Sequence, residues 1–184
     1  DVAYMPYCTG DVHVGNKVTT YTDPTGIDPP LNFHHMGYNN STAAFDYMAS
    51  RFPTIGKFLI TGFSAGGVAS GALYHSARQR LNFNEGYMLN DSGPLFPAPD
   101  ASYNSRQLHD TISQAWDMPS VLADMPASFD PNDVGSVTRA LAIEYPNDHF
   151  AYTGSRTDCN FSRFSYDRFF PGIAEASILP LWPK

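Results

Sequence analysis

One short stretch of the chain places a serine between two glycines: residues 62–66 read GFSAG. A serine hydroxyl is a weak nucleophile at its ordinary pKa, so serine hydrolases activate it with a neighbouring base and stabilise the oxyanion with backbone N–H groups. The pattern G-x-S-x-G is typical of a sharp strand-to-helix turn that exposes the serine at the edge of a sheet. We therefore predict that Ser64 is a nucleophile and that the Ala65 N–H is an oxyanion donor; the alternative is that Ser64 only caps a helix.

The residues around Ser64 have the patterns that such a turn requires. Phe58–Thr61 predicts a strand, Ala65–Arg80 is rich in small residues and predicts a helix, and Gly86–Leu89 predicts a second strand. His149–Tyr152 is a third candidate strand. Because a strand–helix–strand unit gives parallel strands whose functional residues lie at their carboxyl ends, we expect the serine at that edge of a parallel sheet.

A serine triad also needs an acid and a histidine. On this type of fold the acid follows a later strand, and Asp158, just after the third candidate strand, has that position. Asp91, at the end of the second strand, is the alternative acid; its other interpretation is a loop carboxylate that binds backbone amides. No histidine follows Asp158 in the sequence. The base therefore lies outside this chain, or His109 or His149 supplies it.

The rest of the chain predicts one α/β domain over residues 1–184, with a mostly parallel sheet, flanking helices and a helical cap insertion around residues 94–146. Pro119, Pro126 and Pro131 are expected to separate the helices of the cap. The sequence also predicts a strand end at Val2–Cys8 and a short strand at Lys17–Tyr21 within a long loop over residues 10–38. A helix is predicted over Asn39–Phe52, with Asn39-Asn40-Ser41 as its cap. Further helices are predicted over Ser105–Trp116, Ser120–Met125, Asn132–Glu144 and Asn160–Phe170.

Composition excludes several classes of function. The 184 residues carry a formal charge of −7 with only 11 Lys and Arg, and no basic cluster that could follow a phosphate backbone, so we expect no nucleic-acid partner. No apolar run approaches the roughly 20 residues that span a bilayer. Cys8 and Cys159 match no metal-binding spacing, and we expect neither a metal nor a cofactor. The two cysteines could pair with each other, stay free or have partners elsewhere.

Four motifs occur in a fixed order: PYCTGDVHVG at residues 6–15, FHHMGYNN at 33–40, TGFSAGG at 61–67 and NDSGP at 90–94. Together they resemble the pectin acetylesterase and Notum family of serine carboxylester hydrolases, over most of residues 4–170. The resemblance implies an α/β-hydrolase fold, a secreted or periplasmic protein, and a Ser-Asp-His triad that removes acyl groups from a polysaccharide or another acyl ester. By position it makes Ser64 the nucleophile, Ala65 an oxyanion donor and Asp158 the triad acid.

The chain departs from the family in three ways. The family's Gly-Gly-Gly loop would precede residue 1 and its histidine would follow residue 184. The resemblance therefore implies that this chain is one piece of a larger protein, either a processed chain whose partner segments from the same precursor complete the site, or a fragment. Phe63 stands where a small residue is common and would narrow the acyl pocket.

Aromatic side chains that could line a substrate groove, or equally pack in the core, are Tyr7, Tyr38, Phe63, Phe96, Tyr103 and Trp116. A non-catalytic binding protein on a hydrolase scaffold and a lipid or polyester esterase are the competing interpretations.

Overall fold

A computed structural model describes residues 1–155 and 158–170 of the chain. Within these residues two sheets and a set of helices form a mixed α/β fold. The strands are β1 (Lys17–Tyr21), β2 (Leu31–His35), β3 (Ile55–Phe63), β4 (Phe83–Asp91) and β5 (His149–Thr153). The helices are α1 (Gly37–Arg51), α2 (Ala65–Arg80), α3 (Arg106–Trp116), α4 (Met118–Val121), α5 (Val137–Glu144), which a 3₁₀ turn at Val134–Ser136 precedes, and α6 (Cys159–Tyr166).

The larger sheet has the strand order β3-β4-β5, and both of its strand pairs are parallel. Phe63 pairs with Asp91, which in turn pairs with Thr153, so the three strands end at the same level. The prediction of a mostly parallel sheet flanked by helices is confirmed. The smaller sheet is an antiparallel pair in which Lys17 lies opposite His35.

Helix α2 lies against β3 and β4 because its small residues allow a close approach. An added Cβ at Gly67 would come within 2.6 Å of both the Asn90 side chain and the Asp91 carbonyl. Next to this contact, Leu73 and Tyr74 of α2 are almost fully buried, and the sheet residues that pack with them include Phe58, Ile60 and Met88. Helix α5 packs against α2 and β5 and so extends the same layer.

A buried carboxylate joins α2 to the sheet. Asp148 accepts hydrogen bonds from the Tyr74 hydroxyl at 2.7 Å, from Arg78 at 2.6 and 2.9 Å and from the Gly86 N–H at 3.0 Å. The Asp148 side chain is 1% exposed. Burial alone would raise the pKa of Asp148, but these bonds outweigh it and hold the pKa below its usual value.

A second buried carboxylate organises the loop before α1. Asp11 is fully buried and accepts hydrogen bonds from the Thr9 hydroxyl and from the N–H groups of His13, Gly15 and Gly37. These four donors satisfy the carboxyl oxygens of Asp11 without a cationic partner. The motif PYCTGDVHVG therefore contains the residue that fixes its own loop.

Two strand predictions fail in the amino-terminal part of the chain. Val2–Cys8 has no regular secondary structure; Val2 is 97% exposed, and no described strand pairs with the segment. Conversely, residues 31–35 form β2 although the sequence predicts a loop there. Pro29 and Pro30 precede the strand and most of its side chains are exposed, so the segment lacks the apolar pattern that indicates a strand. The predicted strand at Lys17–Tyr21 is confirmed.

The bounds of α1, α4, α5 and α6 differ from the predicted ones. Helix α1 begins at Gly37 without a side-chain cap, and Ser41 donates to the His13 carbonyl instead. Pro119 lies in the first turn of α4, where proline is tolerated, and does not separate two helices there. The predicted helix over Ser120–Met125 is thus wrong beyond Val121. Helix α5 begins five residues later than predicted, and α6 ends four residues earlier.

Candidate functional site

Ser64 occupies the turn between β3 and α2 in a strained backbone conformation. Its φ is 54° and its ψ is −112°. A residue other than glycine at positive φ is uncommon, and such strain concentrates at functional sites. Two backbone hydrogen bonds hold the turn: the Ser64 N–H donates to the Asp91 carbonyl at 2.8 Å, and the Ser64 carbonyl accepts from Val68 at 3.0 Å. This is the geometry that G-x-S-x-G predicts.

The neighbouring glycines have different roles in the turn. A Cβ at Gly62 would collide with the backbone of Gly66, and a Cβ at Gly93 would collide with the backbone of Val68. A Cβ at Gly66, by contrast, would meet no atom within 4 Å. Gly62 and Gly93 must therefore be glycines, because neighbouring backbone occupies the space that a side chain would need. The space beside Gly66 is open.

Ala65 begins α2, so its N–H is among those that have no partner within the helix. The positive end of the helix dipole adds to the attraction of an oxyanion for this group. The arrangement suits the predicted oxyanion donor. A second donor is not identified among the described residues.

The end of β4 forms a second strained turn that sequence reasoning missed. Ser92 also has positive φ, 56°, and its N–H donates to the Thr153 carbonyl at 2.7 Å. The Asn90 side chain closes the turn: it donates to the Gly93 carbonyl at 2.7 Å and accepts from the Gly93 N–H at 2.9 Å. An asparagine three residues before a glycine, directly after an apolar run, is the signal that could have predicted this turn.

Asp91 lies at this edge of the sheet as the last residue of β4, and Asp158 lies five residues after the end of β5. Among the described residues, Asp91 Oδ1 accepts from the hydroxyls of Ser92 at 3.0 Å and Thr153 at 3.1 Å, and not from backbone amides. Asp158 caps α6, because its Oδ1 accepts from the Phe161 N–H at 2.8 Å. Burial, followed by the charges of Asp158 and Asp91, raises the pKa of Tyr152.

The pKa of Tyr152 thus reflects the charges of both carboxylates. Both Asp91 and Asp158 remain candidates for the triad acid. Arg156 and Thr157, which precede Asp158 in the predicted motif, lie outside the described residues.

No histidine in the described part of the chain hydrogen-bonds to Ser64. His149 stacks on Tyr87 at the opposite end of β5, five residue levels from the serine, which is about 16 Å along a strand. His109 is buried on α3, and its Nδ1 has no hydrogen-bond partner among the described residues. Neither has the contact that a base requires. The other histidines near the core bond elsewhere: His35 to Tyr21 and to the Thr9 carbonyl, and His75 to Tyr145.

The predicted aromatic substrate contacts separate into two groups. Phe63 is 72% exposed and directly precedes the serine, so it remains a candidate. Trp116 is 8% exposed and belongs to the hydrophobic core, beside His35. Tyr38 is half-buried and packs against the same core. Trp116 and Tyr38 therefore both contribute to the packing of the core.

Other chemistry is sparse among the described residues. They contain no group of three or more His, Cys, Asp or Glu side chains that could hold a metal ion. Cys8 and Cys159 are both exposed and form no disulfide with each other. None of the described helices is both long and apolar enough to cross a membrane.

No protein-family model, curated protein or solved structure matches the chain. The resemblance to the pectin acetylesterase and Notum family therefore rests on the sequence motifs alone.

Proposed function

We propose that the chain carries the nucleophile of a serine carboxylester hydrolase with an α/β-hydrolase-type fold. The observation that supports this most is the positive φ of Ser64 in a turn that runs from a parallel strand into a helix. In the proposed reaction the Ser64 oxygen attacks an ester carbonyl, the alcohol leaves, and water then releases the acid from the acyl-serine. The Ala65 N–H stabilises the oxyanion of each tetrahedral intermediate.

The proposed substrate class is an acylated polysaccharide or another acyl ester, which follows from the sequence motifs. The exposed ring of Phe63 beside the serine gives an apolar surface for a short acyl group. Asp158 is the proposed orienting acid. Its carboxylate is half-buried, fixed by the Phe161 N–H, and follows the third parallel strand.

The general base of this proposal is a histidine supplied from outside this chain, since all six histidines of the sequence lie among the described residues. One observation favours a second candidate function, a non-catalytic binding protein: no described histidine hydrogen-bonds to Ser64. The two candidates differ in whether Ser64 reacts once a base is present.

Hydrolysis of p-nitrophenyl acetate with and without free imidazole tests the proposal, because imidazole can replace a missing histidine. After subtraction of the hydrolysis that the same concentration of imidazole causes without protein, we expect a rate that imidazole increases in the wild type but not in Ser64→Ala. Ser92→Ala is the matched control, since Ser92 has the same unusual φ at the next strand end. Equal rates for the wild type and Ser64→Ala would contradict the enzyme and support the binding protein.

A further inference from the structure

The side chain of Asn90 ties the carboxyl end of β4 to the turn that follows it. Asn90 is 5% exposed, and both polar atoms of its carboxamide are bonded to one residue. The Nδ2 donates to the Gly93 carbonyl at 2.7 Å, and the Oδ1 accepts from the Gly93 N–H at 2.9 Å. These two bonds fix the position of Gly93 relative to β4. No step of the proposed ester hydrolysis uses Asn90.

Gly93 in turn lies against the first turn of α2. A Cβ added to Gly93 would come within 2.2 Å of the Val68 nitrogen and 2.6 Å of the Ser64 carbonyl oxygen. These two atoms are the donor and the acceptor of a 3.0 Å backbone hydrogen bond in that turn. Because backbone packs directly on backbone here, a displaced Gly93 would displace the turn that begins α2.

Asn90 also contacts this turn through Gly67. A Cβ added to Gly67 would lie 2.6 Å from Asn90 Oδ1 and 3.0 Å from the Gly93 nitrogen, so Gly67 packs on the bonded pair. The same turn begins at Ala65, whose N–H is the proposed oxyanion donor. A donor stabilises an oxyanion only at hydrogen-bond distance, and a misplacement of about 1 Å can lower a rate about 100-fold.

We propose that Asn90 is a positioning residue for the ester hydrolysis: it holds the first turn of α2 so that the Ala65 N–H faces the oxyanion formed at Ser64. In this role Asn90 contacts neither the ester nor the reacting oxygen, and acts through Gly93 and Gly67. Its effect on the rate rests on the proposed function. The placement of the Ala65 N–H, by contrast, can be measured without any reaction.

Two variants of Asn90 test the proposal. Asn90→Asp keeps the size of the side chain and the acceptor for the Gly93 N–H, but replaces the donor to the Gly93 carbonyl with a charged oxygen. Asn90→Ala removes both bonds without adding a charge. Tyr74→Phe is the matched control, because it removes a different buried hydrogen bond of α2, the bond to Asp148 in the middle of the helix.

The first measurement is the ¹H–¹⁵N NMR spectrum of the unreacted protein. We expect both Asn90→Asp and Asn90→Ala to shift the amide resonances of Ala65 and Gly66, and Tyr74→Phe to leave them unchanged. A shift in the neutral variant separates the loss of the bonds from the effect of an added charge. Unchanged Ala65 and Gly66 resonances overturn the proposal, whether or not Ser64 reacts. Should Asn90→Ala not fold, the isosteric Asn90→Asp still decides.

The second measurement is the rate at which a fluorophosphonate labels Ser64 in a fixed excess of imidazole, over a range of probe concentrations. A misplaced donor should lower the limiting rate about 10-fold to 100-fold and leave the half-saturating probe concentration unchanged. Tyr74→Phe should keep both values, since a loss of stability alone reduces the folded fraction and not the limiting rate of the folded protein.

An unchanged limiting rate in both Asn90 variants contradicts the positioning role. So does a rate that falls equally in Tyr74→Phe. If the wild type itself is not labelled, the proposed esterase fails, and the amide shifts of Ala65 and Gly66 decide on their own whether Asn90 holds the turn.

Discussion

The backbone N–H of Ser64 donates a 2.8 Å hydrogen bond to the carbonyl of Asp91, the last residue of the neighbouring strand β4. Ser64 lies one residue beyond β3, so this bond continues the parallel pairing into the turn. The strained serine is therefore held by a tertiary contact as well as by its own glycines. Substitutions at the carboxyl end of β3 or of β4 should therefore disturb the turn at Ser64.

The first prediction compares Gly62→Ala with Gly66→Ala. A methyl group at Gly62 would collide with the backbone of Gly66, whereas a methyl group at Gly66 would meet open space. We expect Gly62→Ala to lower the free energy of unfolding by about 2 kcal/mol or more, and Gly66→Ala to change it by less than about 1 kcal/mol, since alanine favours a helix. Urea denaturation measures both. Equal losses would show that the elbow does not depend on the close approach at Gly62.

The second prediction distinguishes the two candidate acids. Asparagine is as good an N-cap as aspartate, so Asp158→Asn should preserve α6 and the melting temperature. If Asp158 orients the imidazole, the kcat for p-nitrophenyl acetate in a protein that contains the histidine should fall by about 10⁴. Asp91→Asn is the paired variant, for which we expect a small change. The reverse result would assign the acid to Asp91.

The third prediction concerns the buried pair of Arg78 and Asp148. Arg78→Met would leave the Asp148 carboxylate buried without its cation, which typically costs about 3–5 kcal/mol. Arg80→Met is the control, because the bond between Arg80 and Asp46 is exposed and such pairs contribute about 0–1 kcal/mol. Thermal unfolding monitored by circular dichroism compares the two. A similar loss of stability in both variants would mean that the hydrogen bonds from Tyr74 and Gly86 are enough to stabilise the buried Asp148 carboxylate.

The fourth prediction is a pH dependence of stability from His109. The pKa of its imidazole is about 4 in the folded protein, against an ordinary value of 6.5. Between these values the unfolded state binds more protons, so the free energy of unfolding should fall as the pH is lowered from about 6.5 to 4.

His109→Phe should reduce the slope of that fall by up to about 1.4 kcal/mol per pH unit. Burial also lowers the pKa of His13 and His75, so part of the slope should remain. Urea denaturation at several pH values measures the slopes. A slope unchanged by His109→Phe would contradict the burial of a neutral imidazole.

Local patterns in the sequence determine the backbone around Ser64. The helix over Ala65–Arg80 was predicted with its observed bounds, and β3, β4 and β5 were predicted in their order. The turn at Ser64 follows from the same local signals, since glycines and small residues allow a helix to cross a strand closely. These elements position the candidate nucleophile.

Other features of the site depend on tertiary contacts, which no local pattern predicts. Trp116 looked equally suited to a groove or to the core, and only packing beside His35 shows that it is buried. The choice between Asp91 and Asp158 depends on long-range geometry that no local pattern contains. The unpartnered Nδ1 of His109 results from the folding of α3 over the following segment, which the sequence does not reveal.

The most direct test of the nucleophile is covalent labelling with a fluorophosphonate, read as a mass increase of the intact chain and mapped by peptide mass spectrometry. The account predicts one label, on Ser64, which free imidazole accelerates and which disappears in Ser64→Ala but persists in Ser92→Ala. Labelling of another residue, or an unlabelled chain in the presence of imidazole, would contradict it.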